Sequence, residues 1–299
     1  MTGATGFVGR ATLAQAVAAG WHIRALTRRP QDDRDGVTWI PGALDDRTSL
    51  AELAAGSDVV LHIAGVVNVP TRADFEAGNA TATANVIEAA RGAGIRRLVH
   101  VSSLAAREPA LSNYGWSKER AEAIVRASGL DWTIVRPPAV FGPGDTEMLD
   151  LFRMARRGMM LIPPRGRMSA IHVDELARLL VALAGDSAVS VGQSYEPDDG
   201  TPAGWSHRDF ARAIGRAVGR TRVSTLAIPV AVLKGAGRID TLVRRRAAKL
   251  TPDRARYIAH PDWVAGSGAS PPRALWSPAL DTEEALADTV RWYSSQGWL

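Results

Sequence analysis

Thr2-Gly3-Ala4-Thr5-Gly6-Phe7-Val8-Gly9 opens the chain with three glycines spaced three apart, and an apolar periodic stretch runs on from it to Ala19. Glycine at position 3 suits a tight turn, at position 6 lets the backbone approach a pyrophosphate, and at position 9 lets a helix pack closely on a sheet. Thr5, Phe7 and Val8 lie in the same turn, where free amides at a helix start face a phosphate. Only Met1 precedes the turn, whereas this arrangement needs a strand before it. The expectation is that the first strand is truncated, either because the chain begins several residues upstream or because the sheet is repaired in an unusual way.

Working outward, short apolar-rich stretches at Trp21–Thr27, Ser57–Ala64, Arg97–Ser102 and Asp131–Arg136 read as strands, the last ended by Pro137-Pro138. Helical patterns at Thr48–Ala55 and Asn79–Arg91 lie between them. Strands alternating with helices predict an α/β fold, a Rossmann-type doubly wound parallel sheet with helices on both faces. The second half is less regular. His172–Ala184 carries a leucine stripe, and a helix follows Trp205 with Ser206 as its cap. The reading assigns 1–140 to a dinucleotide-binding domain, with 170–185 returning to it, and 141–169 and 186–299 mainly to a smaller C-terminal substrate lobe.

The 299 residues carry no cysteine, which excludes disulfides and thiolate metal sites. The other histidines lack ligand spacing, Asp174 beside His172 reads as a helix-starting acid, and no metal is expected. The net charge of +5 is spread over most of the chain without interleaved aromatics, which argues against nucleic acid. No apolar run reaches the ~20 residues of a spanning helix, so the cytoplasm is the default. The apolar stretch Leu226–Leu233, followed by Arg244-Arg245-Arg246, raises peripheral membrane contact, but Pro229 interrupts it. A core or substrate-lobe helix is the expectation there.

Of the 36 basic residues only Lys118, Lys234 and Lys249 are lysine. Lys118 stands alone in the first 233 residues, four positions after Tyr114, in a stretch that Ser112 can cap. Residues four apart on a helix share a face. The ammonium lowers the phenol's pKa from ~10 toward the working range, so the tyrosine can pass a proton to a carbonyl oxygen as hydride moves. Ser102 and Ser103 end the strand before this helix, and a hydroxyl there can orient the substrate oxygen. Alternation sends one of them into the site and one away.

These pieces together, with His62-Ile63-Ala64-Gly65, Val101-Ser102-Ser103, Arg136-Pro137 and His172-Val173-Asp174, resemble an extended short-chain dehydrogenase/reductase. The likeness is to its NAD-dependent epimerase/dehydratase and 3-beta-hydroxysteroid dehydrogenase branches. The resemblance implies catalytic roles for Ser103, Tyr114 and Lys118, and a proton-relay role for Asn79. It implies a cofactor cleft bordered by Gly3, Thr5, Gly6, Phe7, Val8, Gly9, Leu44, Ala64, Gly65, Tyr114, Lys118 and Pro137. Where similar proteins carry an aspartate that contacts adenine, Ala43 stands here, leaving Asp45 or Asp46 to supply the contact.

At the end of the Trp21–Thr27 strand signal, Arg28 and Arg29 occupy the place where an NAD site puts an acid. NADP(H) is therefore the expected cofactor, with NAD(H) the alternative. The expected activity interconverts a carbonyl and a secondary alcohol on a small-molecule substrate. A sugar-nucleotide epimerase or dehydratase, and a non-catalytic cofactor-binding protein, are the competing readings, and a homodimer is compatible with all three.

Overall fold

The computed structural model describes residues 1–185, 189–244 and 250–299. They divide into two units, one of Met1–Pro137, Leu176–Glu196 and Pro271–Trp276, the other of Pro138–Glu175, Pro197–Ser270 and Ser277–Leu299. The first begins with α1 (Phe7–Ala18), β1 (Ile23–Thr27), β2 (Val37–Pro41), α2 (Arg47–Ala54) and β3 (Val59–His62). It continues with α3 (Arg72–Phe75), α4 (Ala82–Gly92), β4 (Arg97–Val101), α5 (Asn113–Arg126) and β5 (Asp131–Val135). The second unit opens with β6 (Ala139–Phe141), α6 (Leu149–Arg156), β7 (Met159–Ile162), β8 (Arg167–Met168) and β9 (Ala170–His172). Then α7 (Val173–Gly185) and β10 (Gln193–Tyr195) carry the chain through the first unit again. The second unit resumes with β11 (Trp205–Ser206), α8 (His207–Ala217), β12 (Ser224–Ala227), α9 (Val230–Arg244), α10 (Pro252–Ile258), β13 (Asp262–Trp263) and α11 (Thr282–Ser295).

Every strand pair of the first unit is parallel, in the order β10-β5-β4-β3 with β1-β2 as a separate pair. Met1 and Thr2 stitch the two together. The Leu26 amide donates to the Met1 carbonyl, the Thr2 amide to the Leu61 carbonyl, and the Ile63 amide to the Thr2 carbonyl. Two residues thus occupy the place between β1 and β3, and the fold is the Rossmann-like α/β arrangement that the glycine turn predicts.

Alternation along the strands builds a core on each face of this sheet. Leu13 of α1 packs with Ala25 and partly buried Ile23, Val37 and Trp39. Leu26 and Ile40 face the other way, with Leu50, Leu53, Val60, Val86, Leu98 and Ile134. β2 is absent from the sequence reading, because five residues ending in proline give too short a pattern to tell from loop.

The second unit gathers Phe152, Phe210 and Tyr293, from α6, α8 and α11, into its own core. Ser206 caps α8 as predicted, its hydroxyl accepting from the Asp209 amide. The expectation for Leu226–Leu233 needs correction. Of the core or substrate-lobe helix expected there, only the part from Val230 is helical, as the start of α9 in the second unit; before it come the end of β12 and a break at Pro229, and Leu226 and Val232 are exposed. Among the described residues no helix is long and apolar enough to cross a membrane.

Candidate active site

The glycine turn joins Thr2 to α1 through a bend in which the Gly6 amide donates to the Gly3 carbonyl. Gly3 has φ of +74°, and a side chain there would press on the Ala64 backbone. A Cβ on Gly9 would sit 1.8 Å from the Gly3 carbonyl oxygen, so α1 touches the turn as closely as backbone allows. No side chain caps α1, and its first turn holds no acidic residue. The leading amides of a helix have no intrahelical partners, and the dipole there favours an anion. A dinucleotide's pyrophosphate fits this cradle in shape and charge.

Beyond the carboxyl ends of β1 and β2 lies a groove of about 750 Å³ lined by Thr27, Arg28, Arg29, Trp39, Gly42 and Ala43 among others. The Thr27 hydroxyl donates to the Arg29 carbonyl and accepts from the Arg29 amide, which fixes the turn bearing the two exposed arginines. Asp33 and Asp46 also border the groove. Asp46 is partly committed, since its carboxylate caps α2 by accepting from the Thr48 amide at 3.0 Å. Leu44 follows this groove, and its carbonyl accepts from the Asn85 side chain.

The chemistry-bearing side chains gather at the end of β4. Ser112 caps α5 through the Gly115 amide at 3.0 Å, setting Tyr114 in the first turn and Lys118 one turn on. Gly115 is a residue the sequence reading passed over. A Cβ on it would meet the Ala105 carbonyl oxygen at 2.5 Å, so α5 lies directly on the short helical turn after Ser103. Half-buried Tyr114 has the Phe75 ring as a neighbour at 6.2 Å. The Lys118 ammonium is buried and donates to the Val101 carbonyl at 2.8 Å. Burial pushes its pKa down to about 8, against a smaller opposing pull from Glu122.

The two serines take different partners. Ser102 donates to buried Glu122 at 2.6 Å, whereas Ser103 accepts from the Ala105 amide at 3.2 Å. Glu122 also accepts from Arg126 and, with both carboxylate oxygens, from Nε and Nη2 along one edge of the Arg136 guanidinium. Burial alone would raise the Glu122 carboxyl, but Arg136, Ser102 and Arg126 hold it below its ordinary range. Accepting from Ala105 leaves the Ser103 hydroxyl its own proton to donate. Pro137, just past β5, accepts from the Leu104 amide and so braces the same turn.

Asn79 is buried in a wide π-type turn, Glu76–Thr81, where the sequence pattern predicts plain helix. Its side chain accepts from the Val66 amide at 2.8 Å and donates to the Val66 carbonyl and to Ser117 Oγ. Ser117 in turn donates to the Tyr114 carbonyl. Ala64 and Gly65 run between Thr2 and this amide, and a Cβ on Gly65 would stand 2.9 Å from Asn79 Oδ1 and 3.6 Å from the Lys118 ammonium. Below them His62 bonds to Thr2 and Thr83, and burial with nearby Lys118 pushes its pKa down to about 3. His100, its neighbour across β4, is likewise held well below the usual value, first by burial and then by Lys118. Both imidazoles are therefore neutral beside the ammonium. Nothing in spacing alone foretells Ser117, His62 or Glu122 as partners, because each is defined by a contact between distant segments.

Residues 3–187 match the family described as NAD(P)H-binding. The chain belongs to that family. It is an NAD(P)-dependent enzyme of the extended short-chain dehydrogenase/reductase type. It is 35% identical to a ceramide reductase of Caulobacter vibrioides over 309 aligned residues, covering 100% of this chain and 95% of the relative. It is 33% identical over 232 residues to a 4-hydroxy-2-methyl-3-oxo-4-farnesyl-3,4-dihydroquinoline-1-oxide ketoreductase of Stigmatella aurantiaca, covering 68% of each. Among solved structures, the Bordetella bronchiseptica enzyme WbmH in complex with NAD+ superposes with a TM-score of 0.71 at 18% identity, covering 99% of this chain and 98% of that one. That last likeness is one of fold.

Proposed function

We propose that this NAD(P)H-binding enzyme reduces a ketone on a long apolar molecule to a secondary alcohol, with Tyr114 as the proton donor. One observation carries the reading, which is the buried Lys118 ammonium held at the end of β4, one helical turn from Tyr114. Bound nicotinamide supplies the hydride. The Tyr114 hydroxyl gives its proton to the carbonyl oxygen as the carbon is reduced, and the adjacent ammonium stabilises the phenolate left behind. Ser103 orients the same oxygen by donating to it. Asn79 acts as a positioning residue, because its amide ties the Val66 backbone to α5. The apolar substrate class rests on the names of the two relatives, a ceramide reductase and a farnesylated-quinoline ketoreductase.

The test is consumption of reduced cofactor by the purified chain with long-chain ketones and ceramide-type 3-keto lipids. Tyr114→Phe should lower turnover at least about 100-fold, within the range of positioned proton transfer, while the melting temperature stays put. Near-native turnover in that variant would remove Tyr114 from the chemistry.

The cofactor preferred is NADPH. Arg28 and Arg29 border the groove beside β1 and β2, and an arginine fork grips a ribose 2′-phosphate well. Titration with both reduced cofactors should show tighter NADPH binding, reduced about tenfold by Arg28→Ala, with NADH binding unchanged. Equal affinities in the parent chain, indifferent to Arg28, would make NADH the cofactor.

A further inference from the structure

One stretch of the second unit separates itself by charge. Residues 220–250 hold eight arginines and lysines and one acid, Asp240, while the other 268 residues hold 28 basic and 30 acidic side chains. The net positive charge of the protein thus resides in this segment. Arg245, Arg246 and Lys249 belong to that count and lie outside the described residues.

The same segment exposes its apolar side chains. On α9, Val232, Ala236, Ile239 and Val243 recur at helical spacing, which sets them in one stripe. Val232, Ile239 and Val243 are 57%, 64% and 75% exposed, and Leu242 on the flank is 77% exposed. The opposite side of α9 is the packed one. Gly237 is buried, and a Cβ there would meet the Thr251 and Pro252 backbone at the start of α10. Lys234 and Arg238, both exposed, lie on the polar side of the helix, away from the stripe. Immediately before α9, Leu226 of β12 pairs with Leu161 of β7, and both are exposed, as is Met159 two residues earlier.

A helix with an exposed apolar stripe, cations on its polar side and too few residues to span is the pattern of an interfacial helix. Anionic headgroups attract each nearby lysine or arginine, and the apolar side chains enter the acyl boundary. Within residues 220–250 the single acid, Asp240, is paired with Arg244 and accepts from the Leu250 amide, so it does not cancel the segment's positive charge. We propose that α9, with the adjoining edge of β12 and β7, docks this protein on the surface of an anionic phospholipid bilayer. The inference stands apart from the ketone-reduction reading, since docking needs neither substrate nor cofactor.

The experiment is cosedimentation of the whole chain with phosphatidylcholine vesicles, with and without a third of phosphatidylglycerol. Binding should favour the anionic vesicles by about tenfold and fade as salt rises toward a Debye length of a few ångströms. The double variant Lys234→Glu, Arg238→Glu should lose that preference. Ile239→Ser with Val243→Ser should weaken binding about tenfold while leaving the melting temperature and turnover on a water-soluble ketone unchanged. Failure to bind anionic vesicles, or binding indifferent to both variants, overturns the proposal. So does light scattering that shows a dimer dissociated by the stripe variant without vesicle binding, which would assign the face to a second copy.

Discussion

The end of β4 with α5, and the run from β12 through α9, carry positive charge in opposite ways. In the first, Lys118 and Arg136 are drawn under the surface and each is matched to a partner, the Val101 carbonyl or the Glu122 carboxylate. In the second, Lys234, Arg238 and Arg244 stand in solvent on a helix that also bares valine, leucine and isoleucine. Buried charge demands fixed geometry because desolvation must be offset by specific bonds, whereas exposed charge acts through an averaged field. The first arrangement suits chemistry on one atom, and the second suits attraction to a broad surface.

Substitutions should respect that contrast. Glu122→Ala should do the most damage, leaving Ser102 without its acceptor and Arg136 with Glu196 alone, and removing one member of a buried pair costs about 3–5 kcal/mol. Urea unfolding would register it, and a loss under about 1 kcal/mol would show the network to be dispensable. Because the native Glu122 pKa is depressed, its contribution is present above the ordinary carboxylate pKa and disappears as the pH falls through the native value. Gly9→Ala comes next. Its Cβ has no room against the Gly3 carbonyl, so about 1–3 kcal/mol of stability and most cofactor affinity should go together, as calorimetry of the variant would show.

The Lys118 titration gives a subtler signature. With a native pKa of about 8, the ammonium loses its proton above that pH, and the rate under saturating substrate should fall there. Stability on account of the same group should rise between about pH 8 and the ordinary lysine value, where the unfolded chain holds the proton that the folded one has released. A rate that stayed level through pH 9 would detach the ammonium from the reaction. At the far end of the scale, Ile239→Ser on α9 should change stability by no more than about 0.5 kcal/mol, since the side chain is already in solvent.

The glycine turn, four of the parallel strands and the Ser112 cap were legible because each depends on neighbours in sequence. So was the Tyr114–Lys118 spacing, which a single helical period dictates. The rest is written in contacts between distant segments. Glu122 reads as an ordinary surface acid until β4 and β5 bring Ser102 and Arg136 to it. Gly115 looks like a helix-weakening residue until the turn after Ser103 lies against it. The wide turn around Asn79 escaped because it covers only Glu76–Thr81 and runs straight into α4, too short a stretch to set its own period. At Leu226–Leu233 the apolar residues were correctly seen as a segment, and their exposure was not, since hydrophobicity alone does not say which face a helix presents.

The burial of Lys118 also makes the protein unusually readable by covalent labelling. Amine-directed reagents act on the neutral form, and a pKa of about 8 leaves a far larger neutral fraction near pH 7 than an ordinary lysine has. Access then governs the yield, because Lys118 is shielded while Lys234 lies open on α9. With only three lysines in the chain, a labelled peptide map assigns itself. Protection at Lys118 on adding NADPH would report a filled cleft, and protection at Lys234 on adding vesicles would report a covered helix, so one reagent can follow both regions in the same tube.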